Sequence, residues 1–112
     1  MSSFSEKGLL GELEQLVLLA IVRLGEDAYA VSVRDEIQAQ TGIDLRRSSV
    51  YVTLDRLDRK GYVTSWFGDP TPERGGKAKR CFAITPAGRR ALASVERAIE
   101  RLRQPRSARS RA

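Results

Sequence analysis

The 112-residue chain carries 20 lysine and arginine side chains against 14 aspartate and glutamate, a formal net charge of +6, with one cysteine and no histidine. This length suits one small domain, which buries only about two-thirds of the surface that its unfolded chain exposes. The composition excludes an intrachain disulfide, a histidine-dependent catalytic triad and a structural zinc site within one chain. We expect no cofactor and no enzymatic activity, because the sequence offers no spaced pair of carboxylates in an apolar setting.

The charges are distributed unevenly along the chain. Residues 1–45 carry three basic and eight acidic side chains, a net charge of −5, whereas residues 46–112 carry seventeen and six, a net charge of +11. This asymmetry favours a surface made for a polyanion. The alternative is that the basic residues only keep the protein soluble.

The apolar segments are short. The longest uninterrupted run, residues 16–22, has seven residues, whereas a bilayer span needs about 18 or more. Residues 1–8 lack the apolar core of a signal peptide. The sequence therefore predicts a cytoplasmic protein.

Two amphipathic helices are predicted in the first half of the chain. Apolar residues recur at steps of three and four over residues 9–24 and cover several sides, which is typical of a central helix. Gly25 is well placed to end this helix, and Gly42 to end a second helix over residues 30–41. The residues expected to face the core from the second helix and from the turn after it are Ala30, Val33, Ile37, Ile43 and Leu45.

A third helix is predicted over residues 48–60, with one of the two serines at its start as the N-cap. At 100° per residue, one side of this helix is apolar and must face the core; it consists of Val50, Leu54 and Leu57. The opposite side mixes small residues with arginines and consists of Ser48, Val52, Asp55 and Arg59, flanked by Ser49 and Arg56. Small residues permit close approach to base edges, and arginines bind phosphate or guanine. An ordinary solvated helix face is the alternative.

A basic β-hairpin follows the third helix. Residues 62–68 and 80–84 are predicted as strands, and they flank a loop rich in proline and glycine over residues 69–79. Four cations fall within seven residues at its end, namely Arg74, Lys77, Lys79 and Arg80. Such cations displace condensed counterions from DNA, although a flexible solvated loop has the same composition. A phosphate-binding loop is disfavoured because the GxxxxGK[ST] pattern is absent.

The last helix is predicted to begin at Thr85 as N-cap with Pro86 in its first turn, and to continue to about residue 104. Its apolar stripe has little to pack on except the first helix or another subunit. We expect one domain over residues 9–104. Residues 105–112 form a basic tail that is predicted to be disordered, and it either adds non-specific DNA affinity or is simply a solvated end.

Four segments of the chain resemble the PadR-like transcriptional regulators, a winged-helix family of bacterial repressors. The segments are residues 13–22 (LEQLVLLAIV), 27–31 (DAYAV), 49–63 (SVYVTLDRLDRKGYV) and 74–88 (RGGKAKRCFAITPAG). The combination of Tyr51, Leu54 and Leu57 with Lys60-Gly61 and the basic wing is fairly specific to this family. Residues 29–30 read Tyr-Ala where the family usually has Tyr-Gly.

The resemblance implies a mostly α fold with a small β-hairpin, a winged helix-turn-helix made of a three-helix core, a two-stranded wing and a C-terminal dimerisation helix. It implies a homodimer in which the last helix packs with the partner's first helix. The third helix would lie in the major groove of double-stranded DNA, and the wing along the minor groove or backbone. It also allows a small-molecule effector, for which Tyr29 and Trp66 are candidate linings, although core packing is the favoured interpretation of both.

We therefore expect a sequence-specific DNA-binding regulator, a repressor that binds an inverted-repeat operator. The residues expected near base edges are Ser48, Ser49, Val52 and Arg56. The residues expected to bind phosphates are Arg46, Arg47, Tyr51 and Arg59 on or before the helix, with Arg74, Lys77, Lys79 and Arg80 on the wing. Asp55 would repel phosphate and is expected to pair with Arg56 or Arg59. The alternative function is a winged-helix module that binds a partner protein without reading DNA sequence.

Overall fold

The computed structural model describes residues 9–68 and 78–106. In chain order the elements are α1 (Glu12–Leu24), a 3-10 turn (Gly25–Asp27), α2 (Ala30–Thr41), α3 (Arg47–Arg59), β1 (Val63–Phe67), β2 (Arg80–Ile84) and α4 (Pro86–Arg103). The two strands form an antiparallel sheet whose register runs from the pair Val63 and Ile84 to the pair Phe67 and Arg80. This order confirms the predicted winged helix-turn-helix.

The helix α1 lies at the centre of the molecule. It contacts α2, α3, β2 and α4, and its residues Val17 and Leu18 are completely buried. The apolar residues that cover several sides of α1 in the sequence are explained by these contacts. The residues predicted to face the core from α2 and α3 are all buried, namely Ala30, Val33, Ile37, Val50, Leu54 and Leu57.

Glycines end α2 and α3 in the left-handed conformation that a side chain would disfavour. Gly42 has φ 76° and its N–H donates to the carbonyl of Gln38. Gly61 has φ 79°. Its N–H donates to the backbone carbonyl of Asp58 at 3.0 Å, and the N–H of Tyr62 donates to the backbone carbonyl of Leu57 at 2.9 Å. This pair of bonds is the Schellman motif, and it turns the chain from α3 directly into β1.

The start of α3 differs from the prediction. The N-cap is Arg46, and no side chain caps the helix, so the expected serine cap is wrong. The reason lies just upstream, where the Arg34 guanidinium donates to the Leu45 carbonyl at 2.6 Å and pairs with Asp44 at 3.1 Å. These contacts fix the chain before Arg46, and the two serines are consequently placed inside the first helical turn.

The turn between α2 and α3 places only one of its two apolar residues against the core. Leu45 is half-buried and packs on the core as expected, but Ile43 is 42% exposed, so its predicted burial is wrong. The Ile43 N–H donates to the Thr41 hydroxyl at 3.1 Å, which ties the backbone to the end of α2. With the backbone held there, the Ile43 side chain lies at the surface.

The hairpin is anchored to the core through the middle of β2. Phe82 is 2% exposed, and its N–H donates to the Ala28 carbonyl at 2.9 Å. Next to it, Cys81 forms an isolated antiparallel bridge with Tyr29. The connector before α2 therefore pairs with β2 like a short third strand, which the sequence did not indicate.

The first turn of α4 is closely packed. The Thr85 hydroxyl caps the helix by accepting from the Gly88 N–H at 3.0 Å, as predicted, and donates to the Gly61 carbonyl at 2.7 Å. Gly88 is buried against the backbone of Tyr62, and a Cβ atom there would overlap the Tyr62 carbonyl and the Ile84 side chain. The helix can approach the hairpin this closely only because residue 88 has no side chain.

We predict that Gly88→Ala lowers the free energy of unfolding by about 1–3 kcal/mol, because the added methyl group overlaps backbone that cannot move aside. Urea unfolding at neutral pH measures this change. Gly68→Ala is a matched control: its Cβ would make ordinary contacts of 3.6 Å or more and should change stability by less than about 0.5 kcal/mol. Equal stability of the two variants would contradict the packing of α4.

Candidate nucleic-acid interface

The side of α3 that faces away from the core presents a ridge of side chains to solvent. Ser48, Val52 and Arg56 follow one another at steps of four and therefore lie on one line along the helix. All three are exposed, Val52 by 51%. Ser49 beside them is half-buried. An open groove of about 290 Å³ runs between this ridge and the first turn of α1, where Leu13 forms its far side.

Arginines surround this ridge. Arg46, Arg47, Arg56 and Arg59 are all exposed. Their side chains make no ion pair and no hydrogen bond with any residue in the ranges 9–68 and 78–106. A guanidinium group that has no partner in its own chain is available to a phosphate or a base.

The carboxylates of α3 have a different partner from the one expected. Asp55 pairs with Arg80 of β2 at 2.8 Å and not with Arg56 or Arg59, so that prediction is wrong. Asp58 pairs with the same guanidinium at 2.9 Å. The planar fork of Arg80 reaches both carboxylates at once, whereas neither Arg56 nor Arg59 forms an ion pair with them. This contact between distant segments has no signal in the sequence.

The basic residues of the wing are placed only in part. Lys79 lies over the ring of Tyr29, with its Nζ 4.4 Å from the ring centroid. Arg80 is held by Asp55 and Asp58, and its guanidinium also lies 5.0 Å from the Phe82 ring centroid. Arg74 and Lys77 lie outside the described residues, as does the tail from residue 107 onward.

Aromatic side chains line a cleft beside the hairpin. A cleft of about 220 Å³ lies between α2, α3 and the hairpin, lined by Tyr29, Tyr51, Phe67 and Lys79 among others. Phe67 is 72% exposed and Tyr51 is 51% exposed. Trp66 on the opposite face of β1 is 45% exposed, so the preferred assignment of Trp66 to the core is wrong. Tyr29 is half-buried and lines the cleft, whereas Trp66 is not among the residues that line it.

An ion pair between buried Glu14 and partly exposed Lys60 connects the end of α3 to α1. The Glu14 carboxylate is 4% exposed; it accepts from the Lys60 ammonium at 2.7 Å and from the Gly11 N–H at 2.8 Å. Burial alone raises the pKa of the Glu14 carboxyl. The hydrogen bonds from Lys60 and Gly11, together with the charges of Lys60 and Arg56, outweigh burial and hold the pKa below its ordinary value. The Glu14 carboxylate therefore stays ionised at neutral pH, and its contact with Lys60 limits rotation of α3.

In residues 9–68 and 78–106, no group of three or more histidine, cysteine, aspartate or glutamate side chains could hold a metal ion. No helix among those residues has the length and hydropathy needed to cross a bilayer.

Comparisons with known proteins agree with the fold. Residues 18–94 match the transcriptional regulator PadR-like family. A PadR family transcriptional regulator from Eggerthella lenta is 28% identical, with 81% of this chain and 79% of that chain covered and a TM-score of 0.64. No curated protein sequence matches the chain.

Two further solved structures share the fold at lower identity. A transcriptional regulator from Clostridium thermocellum is 20% identical, with 84% of this chain and 85% of that chain covered and a TM-score of 0.68. A PadR-like transcription factor from Bacteroides fragilis is 18% identical, with 80% and 82% covered and a TM-score of 0.67. The resemblance inferred from the sequence is confirmed.

We predict that Glu14→Gln lowers the free energy of unfolding by about 1–3 kcal/mol at pH 7, because it removes a hydrogen-bonded charge pair. The folded pKa of Glu14 lies below the unfolded value of about 4.3. The pair therefore contributes its full stability above that value and loses it as the pH falls through the folded pKa. The difference between wild type and variant should shrink as the pH is lowered below 4.

Urea unfolding of wild type and Glu14→Gln at pH 7 and in steps below pH 4 measures this convergence. Glu12→Gln removes a carboxylate from the same helical turn, but Glu12 is exposed and does not contact Lys60, so its effect should be smaller. A difference between wild type and Glu14→Gln that persists unchanged into acid would contradict the assigned pair.

Proposed function

The chain belongs to the PadR-like family of transcriptional regulators, which are DNA-binding proteins and not enzymes, and we propose that it represses transcription as a homodimer bound to an inverted-repeat operator. The observation that carries this proposal is the outer side of α3, where small side chains face solvent together with arginines that form no ion pair within the described part of the chain. The repressor assignment is supported by the family resemblance.

The outer side of α3 suits the major groove. This groove is about 12 Å wide and admits an α-helix. The hydroxyl groups of Ser48 and Ser49 lie in the first turn, where the helix can approach base edges closely. The Val52 methyl groups can contact the methyl group of thymine, and the Arg56 guanidinium can donate two hydrogen bonds to guanine O6 and N7. These four residues are the proposed base-reading set.

Phosphate contacts are proposed around this set. Arg46 and Arg47 precede the ridge and Arg59 follows it, so the three guanidinium groups lie on both sides of the base-reading residues. The exposed Tyr51 hydroxyl can donate to a phosphate oxygen. The wing residues proposed for the same phosphate contacts are Arg74, Lys77 and Lys79, whereas the guanidinium of Arg80 is held by Asp55 and Asp58. Such contacts set the register and orientation on the duplex but carry no sequence information.

The charge distribution supports a polyanionic partner. Eight of the 14 acidic residues lie before residue 46, whereas residues 46–112, which include α3, the wing, the last helix and the tail, carry a net charge of +11. A basic surface attracts DNA at long range and releases its counterions on contact. Asp55 and Asp58, the two carboxylates of α3, are both paired with Arg80, which reduces their repulsion of phosphate.

A homodimer is proposed because apolar surface remains on α1 and α4. Ile99 and Leu102 on the second half of α4 are 42% and 87% exposed, and Leu19 and Val22 on α1 are 40% and 42% exposed. A contiguous exposed apolar patch marks a protein interface, and in a two-fold dimer the same surfaces meet reciprocally. Two-fold symmetry requires an inverted repeat, with half-sites about one helical turn apart.

We predict that Arg56→Ala weakens binding to the operator by about 1–3 kcal/mol while binding to random DNA changes less, because Arg56 is proposed to read a base. The operator probe is the repeat enriched by the wild-type protein from a random duplex pool, and fluorescence anisotropy measures both affinities. Arg59→Ala is the matched variant, and it should weaken binding to both DNAs equally. Equal weakening by Arg56→Ala on both probes would restrict Arg56 to phosphate contact.

We predict that the wild-type protein sediments as a dimer without DNA and that Ile99→Glu sediments as a monomer, because a buried carboxylate without a partner opposes association. Sedimentation velocity at micromolar concentration measures the mass. Ile43→Glu is a matched control, since Ile43 and Ile99 are both 42% exposed and Ile43 lies in the turn between α2 and α3. A monomeric wild-type protein would contradict the symmetric operator.

A further inference from the structure

The ion pairs between the wing and α3 lie where the hairpin leaves the core. Phe82 in the middle of β2 is buried in the core, but Phe67 in the last pair of the sheet is 72% exposed and contributes little apolar burial. Arg80 pairs with Phe67 in the register of the sheet, so it occupies this outer end. An isolated two-stranded hairpin is marginally stable in water. The outer part of the wing therefore depends on polar contacts.

Arg80 supplies those contacts through both arms of its guanidinium. Nη1 donates to Asp55 Oδ1 at 2.8 Å and Nη2 donates to Asp58 Oδ2 at 2.9 Å. The two carboxylates are three residues apart and so lie on one face of α3. Ser65 of β1 completes the cluster: its hydroxyl donates to Asp58 Oδ2 at 3.1 Å and lies 3.3 Å from Arg80 Nη2.

We propose that Arg80 is a positioning residue whose ion pairs with Asp55 and Asp58 fix the angle between the wing and α3. The function of these two carboxylates on the DNA-facing helix is to hold the Arg80 guanidinium in place. The proposal rests on the proposed function, since it concerns how two DNA-contacting elements keep their relative orientation. Arginine suits this part because its planar fork spans two carboxylates, which the single ammonium of lysine cannot do with the same geometry.

The alternative is that Arg80 binds phosphate directly and that the two carboxylates are incidental. The geometry opposes this, because Nη1 and Nη2 already donate to Asp55, Asp58 and Ser65, and the two carboxylates beside the guanidinium offset its charge and would repel a phosphate. Acidic side chains on a DNA-facing helix oppose binding unless they perform another task. If Arg80 positions the wing, removal of the two carboxylates should weaken DNA binding. If Arg80 binds phosphate, removal of the carboxylates should strengthen it.

The first measurement needs no DNA. The Gly68 N–H donates to the Lys79 carbonyl at 2.8 Å and thereby reports opening of the outer hairpin. Hydrogen exchange by NMR should show that Arg80→Met speeds exchange at Gly68 by about tenfold, while amides of α1 stay unchanged. The double variant Asp55→Asn with Asp58→Asn should do the same, and Arg80→Lys should restore only part of the protection.

Arg59→Met is the matched control for the exchange measurement. It removes an exposed guanidinium from the same helix, but Arg59 makes no contact with the hairpin in the described part of the chain. Exchange at Gly68 should not change in this variant. Unchanged exchange at Gly68 in both Arg80→Met and the double asparagine variant would overturn the proposal.

The second measurement uses a duplex that carries the enriched inverted repeat. Arg80→Met and the double asparagine variant should each bind it about tenfold more weakly than the wild type. The variant that combines all three substitutions should bind little more weakly than either, because each variant removes the same set of ion pairs. The dependence of affinity on salt should keep its slope. Tighter binding by the double asparagine variant, or a slope about one unit shallower in Arg80→Met, would overturn the proposal.

The two measurements distinguish an error in the positioning role of Arg80 from an error in the proposed function. If no DNA sequence is enriched, the function is wrong, but the exchange data still establish whether Arg80 holds the hairpin to α3. If a repeat is enriched and bound with full affinity by Arg80→Met and by the double asparagine variant, the function stands and the positioning role of Arg80 is wrong.

Discussion

The packing of one side of α3 against α1 is the constraint on which the candidate interface depends. Val50, Leu54 and Leu57 are 1%, 1% and 0% exposed, and side-chain directions around a helix are fixed relative to one another. Burial of that side therefore turns Val52 and Arg56 toward solvent. The ion pair of Glu14 and Lys60 then limits rotation and sliding of the helix. A DNA-reading surface needs this rigidity, because base contacts tolerate only small displacements.

The wing is positioned by a chain of local contacts that begins at the end of α3. The Schellman turn at Gly61 starts β1 directly after the helix, and the Thr85 hydroxyl returns a hydrogen bond to the Gly61 carbonyl at 2.7 Å. Gly88 lets α4 pack against the same turn. The elements α3, β1 and α4 thus meet around Gly61. A change at Gly61 therefore displaces the hairpin and the last helix together.

The sequence predicted the elements well and the contacts between them less well. Helical spacing, glycine stops and Thr85 before Pro86 are local signals, and the bounds of α2 and β2 follow from them. The partner of Asp55 could not be predicted, since two neighbouring arginines were available and Arg80 is 25 residues away along the chain. The start of α3 was missed for the same reason, because the contacts of Arg34 with residues 44 and 45 fix it from another helix.

Selection from a random double-stranded DNA pool by the purified wild-type protein, at near-physiological salt, tests the central claim most directly. The claim is that the outer side of α3 reads base edges in a two-fold symmetric complex. We predict that one inverted repeat is enriched, with half-sites about one helical turn apart, and that it is bound at least about 10³-fold more tightly than random duplex. A folded, dimeric protein that enriches no sequence would contradict the claim.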